Sequence, residues 1–134
     1  MRTIEDVERY LRESGIAFQD FGDGLFVVTD AEIGVHNLAI KVEAPVVVFR
    51  LRVADEPARS PAREVLFEEL LKLNGAGLLH SAFSLQNDGI YLTAALPLDN
   101  LDLNELRAVV EDMGMAVSQH VPRLGLAGAN HSRG

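Results

Sequence analysis

Two runs of alternating apolar and polar residues, 79–85 and 90–98, flank the link Gln86-Asn87-Asp88-Gly89. A period of two sends successive side chains to opposite faces of a strand, and an Asn-Asp-Gly link tolerates the positive φ angles of a tight antiparallel turn. This segment constrains the fold most, because the rest of the chain must build a sheet that accepts an antiparallel hairpin. Leu79, Phe83 and Leu85 align with Ile90, Leu92, Ala94 and Leu96 as inward positions, leaving His80, Ser84, Tyr91 and Thr93 on the other face.

The same pattern recurs twice upstream. Residues 16–21 and 25–29 flank Gly22-Asp23-Gly24, and residues 35–42 and 46–53 flank Glu43-Ala44-Pro45. In the last of these runs Val47, Phe49, Leu51 and Val53 share one face, while Val46, Val48, Arg50 and Arg52 share the other, apolar at one end and basic at the other.

Helical spacing accounts for the remainder. Thr3 is placed to cap a helix carrying Ile4, Val7, Tyr10 and Leu11, with Glu5 and Asp6 in its first turn and Gly15 at its end. Residues 55–60 form a connector, and Ser60-Pro61 opens a second helix to about residue 73, closed by Asn74-Gly75-Ala76-Gly77. Its Leu66, Phe67, Leu70, Leu71 and Leu73 spread over roughly half the circumference at ~100° per residue, enough either for deep burial or to cover a subunit partner. Asp102-Leu103-Asn104-Glu105 resembles a capping box before a third helix with the stripe Leu103, Leu106, Val110, Met113 and Val117. Packing on a sheet is the expected use of that stripe, with Gly114 costing ~1 kcal/mol relative to Ala if the helix runs through it.

The expected order is helix, four strands, helix, two strands, helix. Such grouping implies an α+β fold, an antiparallel sheet with helices mainly on one face, rather than alternating βαβ units. Residues 1–122 are expected to form one domain, with 123–134 as a flexible tail after Pro122.

With 134 residues and no cysteine, the chain has one domain's worth of core and no disulfide, thiol nucleophile or Cys-based zinc site, consistent with a cytoplasmic setting. Its opening residues show no apolar signal core, and no run approaches the ~18 apolar residues of a membrane span. Twenty acidic against 12 basic residues give a formal charge of -8, which disfavours a nucleic-acid partner.

No catalytic spacing stands out. His36, His80, His120 and His131 form no HxH, HxxxH or HExxH pattern, and there is no GxSxG elbow. Gly22-x-Gly24 and Gly75-x-Gly77 are too short for a dinucleotide fingerprint. Acidic pairs such as Glu68-Glu69 and Glu111-Asp112 read as surface charge on helices. No cofactor or metal is expected, and an enzyme built from dispersed His and carboxylates is the least favoured reading.

Consecutive apolar residues at Leu25-Phe26-Val27-Val28 and Val46-Val47-Val48-Phe49 load both faces of the sheet. One face then needs a second cover, supplied either by helices or by a partner polypeptide. Either Phe26 and Val28 or Leu25 and Val27 face that cover, and alternation alone leaves the choice open. Phe26 and Val28 are the candidate partner-contact pair.

From Leu70 onward, Leu70-Leu71-Lys72-Leu73-Asn74, the run 79–85, Asn87-Asp88-Gly89, the run 90–98 and Leu101-Asp102-Leu103-Asn104-Glu105-Leu106 form a recurring pattern. It resembles the YbjN-like family of bacterial sensory transduction regulators and the related type III secretion chaperones of the Tir-chaperone class. The chaperones commonly have three strands where this chain's first half shows two hairpins, so the YbjN-like branch fits better.

That resemblance implies a homodimer formed through the middle helix and neighbouring strand, with Phe67, Leu71 and Phe83 as interface candidates, and Val46 and Val48 as candidates for peptide contact. It implies a non-catalytic, chaperone-like or regulatory module covering an apolar segment of a partner protein. A small-ligand sensor with a pocket between sheet and helices is the alternative.

Overall fold

Thr3 caps α1 (Ile4–Glu13) reciprocally: its side chain accepts from the Asp6 backbone N–H, while the Asp6 carboxylate accepts from the Thr3 backbone N–H. In this computed structural model, which describes residues 1–87 and 89–124, the chain continues through β1 (Phe18–Asp20), β2 (Leu25–Asp30), β3 (Val35–Glu43), β4 (Val46–Asp55), α2 (Pro61–Ala76), β5 (Ala82–Gln86), β6 (Gly89–Pro97) and α3 (Leu103–His120). The expected α+β order is the one observed. Ser60 accepts from the Arg63 N–H at the head of α2, with Pro61 in the first turn, and Asp102 accepts from the Glu105 N–H at the head of α3.

The strands form one antiparallel sheet in the order β1-β2-β3-β4-β6-β5. Gly22, Asp23 and Gly24 all take positive φ, which lets β1 turn directly into β2. β4 is the spine, paired with β6 from Val46↔Pro97 to Asp55↔Gly89, and with β3 only from Glu43↔Val46 to Ala39↔Arg50.

Cross-strand partners share a face, so the register sorts the side chains. Phe26, Ile40, Phe49 and Ala94 form one row of the first face, against which α1 sets Val7, Tyr10 and Leu11 and α3 sets Leu106, Val109, Val110 and Met113. On the second face, Leu25, Lys41, Val48 and Ala95 form one row, and Val27, Ala39, Arg50, Thr93 and Ala82 form the next. Residues of this face are half-buried or exposed, and the described helices pack on the first face or beside β5.

Several expectations change. α2 continues through Asn74, Gly75 and Ala76 instead of ending at residue 73, and the chain turns back to the sheet over the following residues. β5 therefore starts at Ala82, and Leu79, expected to face inward, is 85% exposed in that turn. Leu85 is also half exposed, because β5 is the outermost strand and has a neighbour on one side only. α2 is not a deeply buried central helix: only Leu70 is buried, while Val65 and Leu71 face solvent. The last ten residues of the expected tail, 125–134, and with them His131, lie outside the described residues.

Candidate functional site

The second face of the sheet divides into an apolar part and a basic part. Leu25, Val27, Val46 and Val48 are half-buried there, next to Phe21 in the β1–β2 turn, which is 61% exposed. A depression of ≈ 380 Å³ lined by Ala17, Gln19, Phe21, Val27, Thr29 and Asn37 extends this part toward β1. Lys41 stands between Leu25 and Val48 and donates to the Asp23 carbonyl, and two residues along β4 from Val48 the strand itself turns basic. The Arg50 guanidinium lies 4.8 Å from the Tyr91 ring centroid and that of Arg52 lies 5.9 Å from it, a cation–π arrangement across β4 and β6. Arg52 also pairs with Asp55 at 2.6 Å.

Val46 and Val48 therefore lie on the uncovered face. Phe26 and Val28, expected beside them, do not: both are fully buried on the opposite face beneath α1 and α3. The register explains this correction, since Phe26 pairs with Ile40 and Ile40 with Phe49, all pointing into the core. Leu25 and Val27 take the uncovered positions.

A second apolar region lies between α2 and the edge of β5. Phe67, Leu71 and Phe83 come together there, lining with Leu70, Leu85 and Ile90 a groove of ≈ 180 Å³. Leu71 is 71% exposed on its rim. Arg63 lies over the Phe67 ring at 4.6 Å and pairs with Glu56. Asn74, which reads in the sequence as a helix-ending residue, hydrogen-bonds both backbone groups of Phe83.

Where β3 and β4 stop pairing, a third cavity of ≈ 270 Å³ opens among Thr29, His36, Arg52, Val53 and Val117. Its polar side chains are few, and Arg52 is already engaged by Asp55. His36 and His80 are exposed, and among the described residues no three His, Cys, Asp or Glu side chains gather as a metal-holding group. Two carboxyl groups sit below their usual range. The Thr3 backbone N–H lowers Asp6, and the Ala17 N–H, aided by those of Ile33 and Glu32, lowers Asp30. Both are held ionised as structural acceptors. No described helix is long and apolar enough to cross a membrane.

Arg50 was missed as a site residue, and of the two β2 pairs that alternation left open the structure puts Leu25 and Val27 on the uncovered face instead of the candidate pair Phe26 and Val28. The signal that finds Arg50 is present in the alternation of β4, where a basic residue follows Val46 and Val48 on the same face.

The fold is shared with solved structures at low sequence identity. YbjN from E. coli superposes with a TM-score of 0.60 at 12% identity, over 98% of this chain and 94% of that one. A chain of the heterodimeric ExoU-SpcU complex from the type III secretion system of Pseudomonas aeruginosa gives 0.69 at 18% identity, over 87% and 95%. A chain of the HopA1-SchA chaperone-effector complex gives 0.56 at 13%, over 93% and 92%. No curated protein sequence matches the chain. The family model CesT_Tir_1 matches residues 1–128, almost the whole chain, and the chain therefore belongs to this type III chaperone family.

Proposed function

We propose that this chain is a non-catalytic, chaperone-like protein-binding module that holds an apolar segment of a partner protein on the uncovered face of its sheet. One observation carries the reading: Leu25 and Val27 on β2 and Val46 and Val48 on β4, with Lys41 between Leu25 and Val48, lie on a sheet face without a helix over it, while the opposite face is covered by α1 and α3. Family membership supports it, as do two of the similar structures, one a chaperone-effector complex and one a heterodimeric complex of a type III secretion system. In this reading residues 1–122 act as one domain in the cytoplasm. The α2–β5 groove is a separate surface through which two copies pair, with Phe67, Leu71 and Phe83 at the contact.

Site-specific photo-crosslinking tests the proposal. A benzophenone side chain at position 48, in the full chain expressed in its native cell, is expected to capture a discrete protein. The same group at position 107, on the solvent side of α3, is expected to capture none. Equal labelling from both positions overturns the reading.

A further inference from the structure

Arg50 sits in the middle of the uncovered face, on the central strand β4, in the row Val27, Ala39, Arg50, Thr93, Ala82. It is half-buried, its Nε is shielded from solvent without a hydrogen-bond partner, and among the described residues it has no ion-pair partner. Two other half-buried arginines have ion-pair partners: Arg52 is paired with Asp55 and Arg63, on α2, with Glu56. A guanidinium carries five N–H donors and no acceptor, and taking it part-way out of water is costly unless an anion or acceptor receives those donors. Its guanidinium lies over the Tyr91 ring, 4.8 Å from the centroid, and the fork of its N–H donors matches the two oxygens of a carboxylate.

Resting on the function proposed above, we propose that the segment held on this face carries a carboxylate side chain that pairs with Arg50, next but one to apolar side chains lying on Val46 and Val48. Strand geometry sets that spacing. Same-face residues of β4 are about 7 Å apart, and an extended ligand running along the strand repeats its own side chains at the same interval. The occupant is thus an apolar-x-apolar-x-acid segment of another polypeptide. Residues 125–134 contain no Asp or Glu, so the chain's own C-terminal stretch supplies no such side chain.

Charge decides against a more acidic occupant. The chain has a formal charge of -8, and a segment rich in carboxylates is repelled by it at long range. At physiological salt that field is screened beyond about 8 Å, whereas a half-buried arginine is screened much less. A single carboxylate among apolar residues gains the local pairing without the long-range penalty.

The test selects extended peptides with amidated C-termini from a random display library on the immobilised full chain, then titrates dye-labelled winners. Winners are expected to carry Asp or Glu next but one to an apolar residue, and Val48→Asp is expected to abolish their binding. Changing that carboxylate to its amide is expected to weaken binding about tenfold on the native chain and to change little on Arg50→Gln. Arg50→Glu is expected to regain binding when the peptide acid is replaced by lysine. If Val48→Asp abolishes binding but the amide peptide binds within about twofold of the acid, the carboxylate proposal falls and the apolar-segment reading stands. If no winner responds to Val48→Asp, both fall. Should Arg50→Gln fail to fold, the acid-to-amide comparison on the native chain decides alone.

Discussion

The side-chain amide of Asn74 makes both hydrogen bonds that the Phe83 backbone offers on the outer edge of β5: the Phe83 N–H donates to Oδ1 at 2.7 Å, and Nδ2 donates to the Phe83 carbonyl at 2.9 Å. An amide here does what a neighbouring strand's peptide would do, fastening α2 to the sheet and closing part of an edge that would otherwise invite pairing. Asn74→Ala is expected to cost about 1–3 kcal/mol, two ordinary hydrogen bonds' worth, in urea unfolding. Asn74→Asp keeps the acceptor and loses the donor, so it should not recover the full native stability at neutral pH.

Gly114 lies inside α3, yet a Cβ built there meets the Ile33 carbonyl oxygen at 2.1 Å. The β2–β3 connection crosses the helix at the one place where it has no side chain. Helix propensity alone makes Gly114→Ala stabilising by ~1 kcal/mol. The clash with backbone reverses the sign, and denaturant unfolding should show a loss of at least about 1 kcal/mol, as overpacking typically gives.

Asp30 is the one buried acid of the described core, 9% exposed, accepting from the backbone N–H groups of Ala17, Glu32 and Ile33. Its folded-state pKa is lowered from 3.8, chiefly by the Ala17 hydrogen bond, so its contribution is complete well above that value. The contribution is lost as pH falls below 3.8 through the depressed folded value. Asp30→Asn should be destabilised by about 1–3 kcal/mol at neutral pH, because an amide N–H must then face a backbone donor. The difference from the native chain should shrink as the buffer is taken into the acid range, measured by thermal unfolding across pH.

Leu71 is 71% exposed on the rim of the α2–β5 groove, so its replacement should leave the monomer's stability nearly unchanged. If the groove joins two copies, Leu71→Asp should shift sedimentation from dimer to monomer at micromolar concentration. An unchanged sedimentation coefficient would rule out this surface as the dimer contact.

The elements were legible because their signals are local. Thr3, Ser60 and Asp102 announce the three helices through caps formed within one turn, and period-two alternation marks β2, β3, β4 and β6 without reference to the rest of the chain. Phe67, Leu71 and Phe83 line one groove because a broad apolar helix face and an alternating strand adjoin in sequence.

Other features depended on parts of the chain far apart in sequence. Alternation in β2 defines two faces, Leu25 with Val27 and Phe26 with Val28, and is silent about which one α1 and α3 will cover. Gly114 is a cost to an isolated helix and becomes a requirement only once Ile33 crosses it. Sequence by itself thus determined the strands, the helices, their order and the existence of an apolar-to-basic face on β4. Only the tertiary structure decided that this face is the uncovered one, with Arg50 at its centre, because the periodicity of each segment is set by its own residues, whereas the side of the sheet that is buried is set by how distant segments pack.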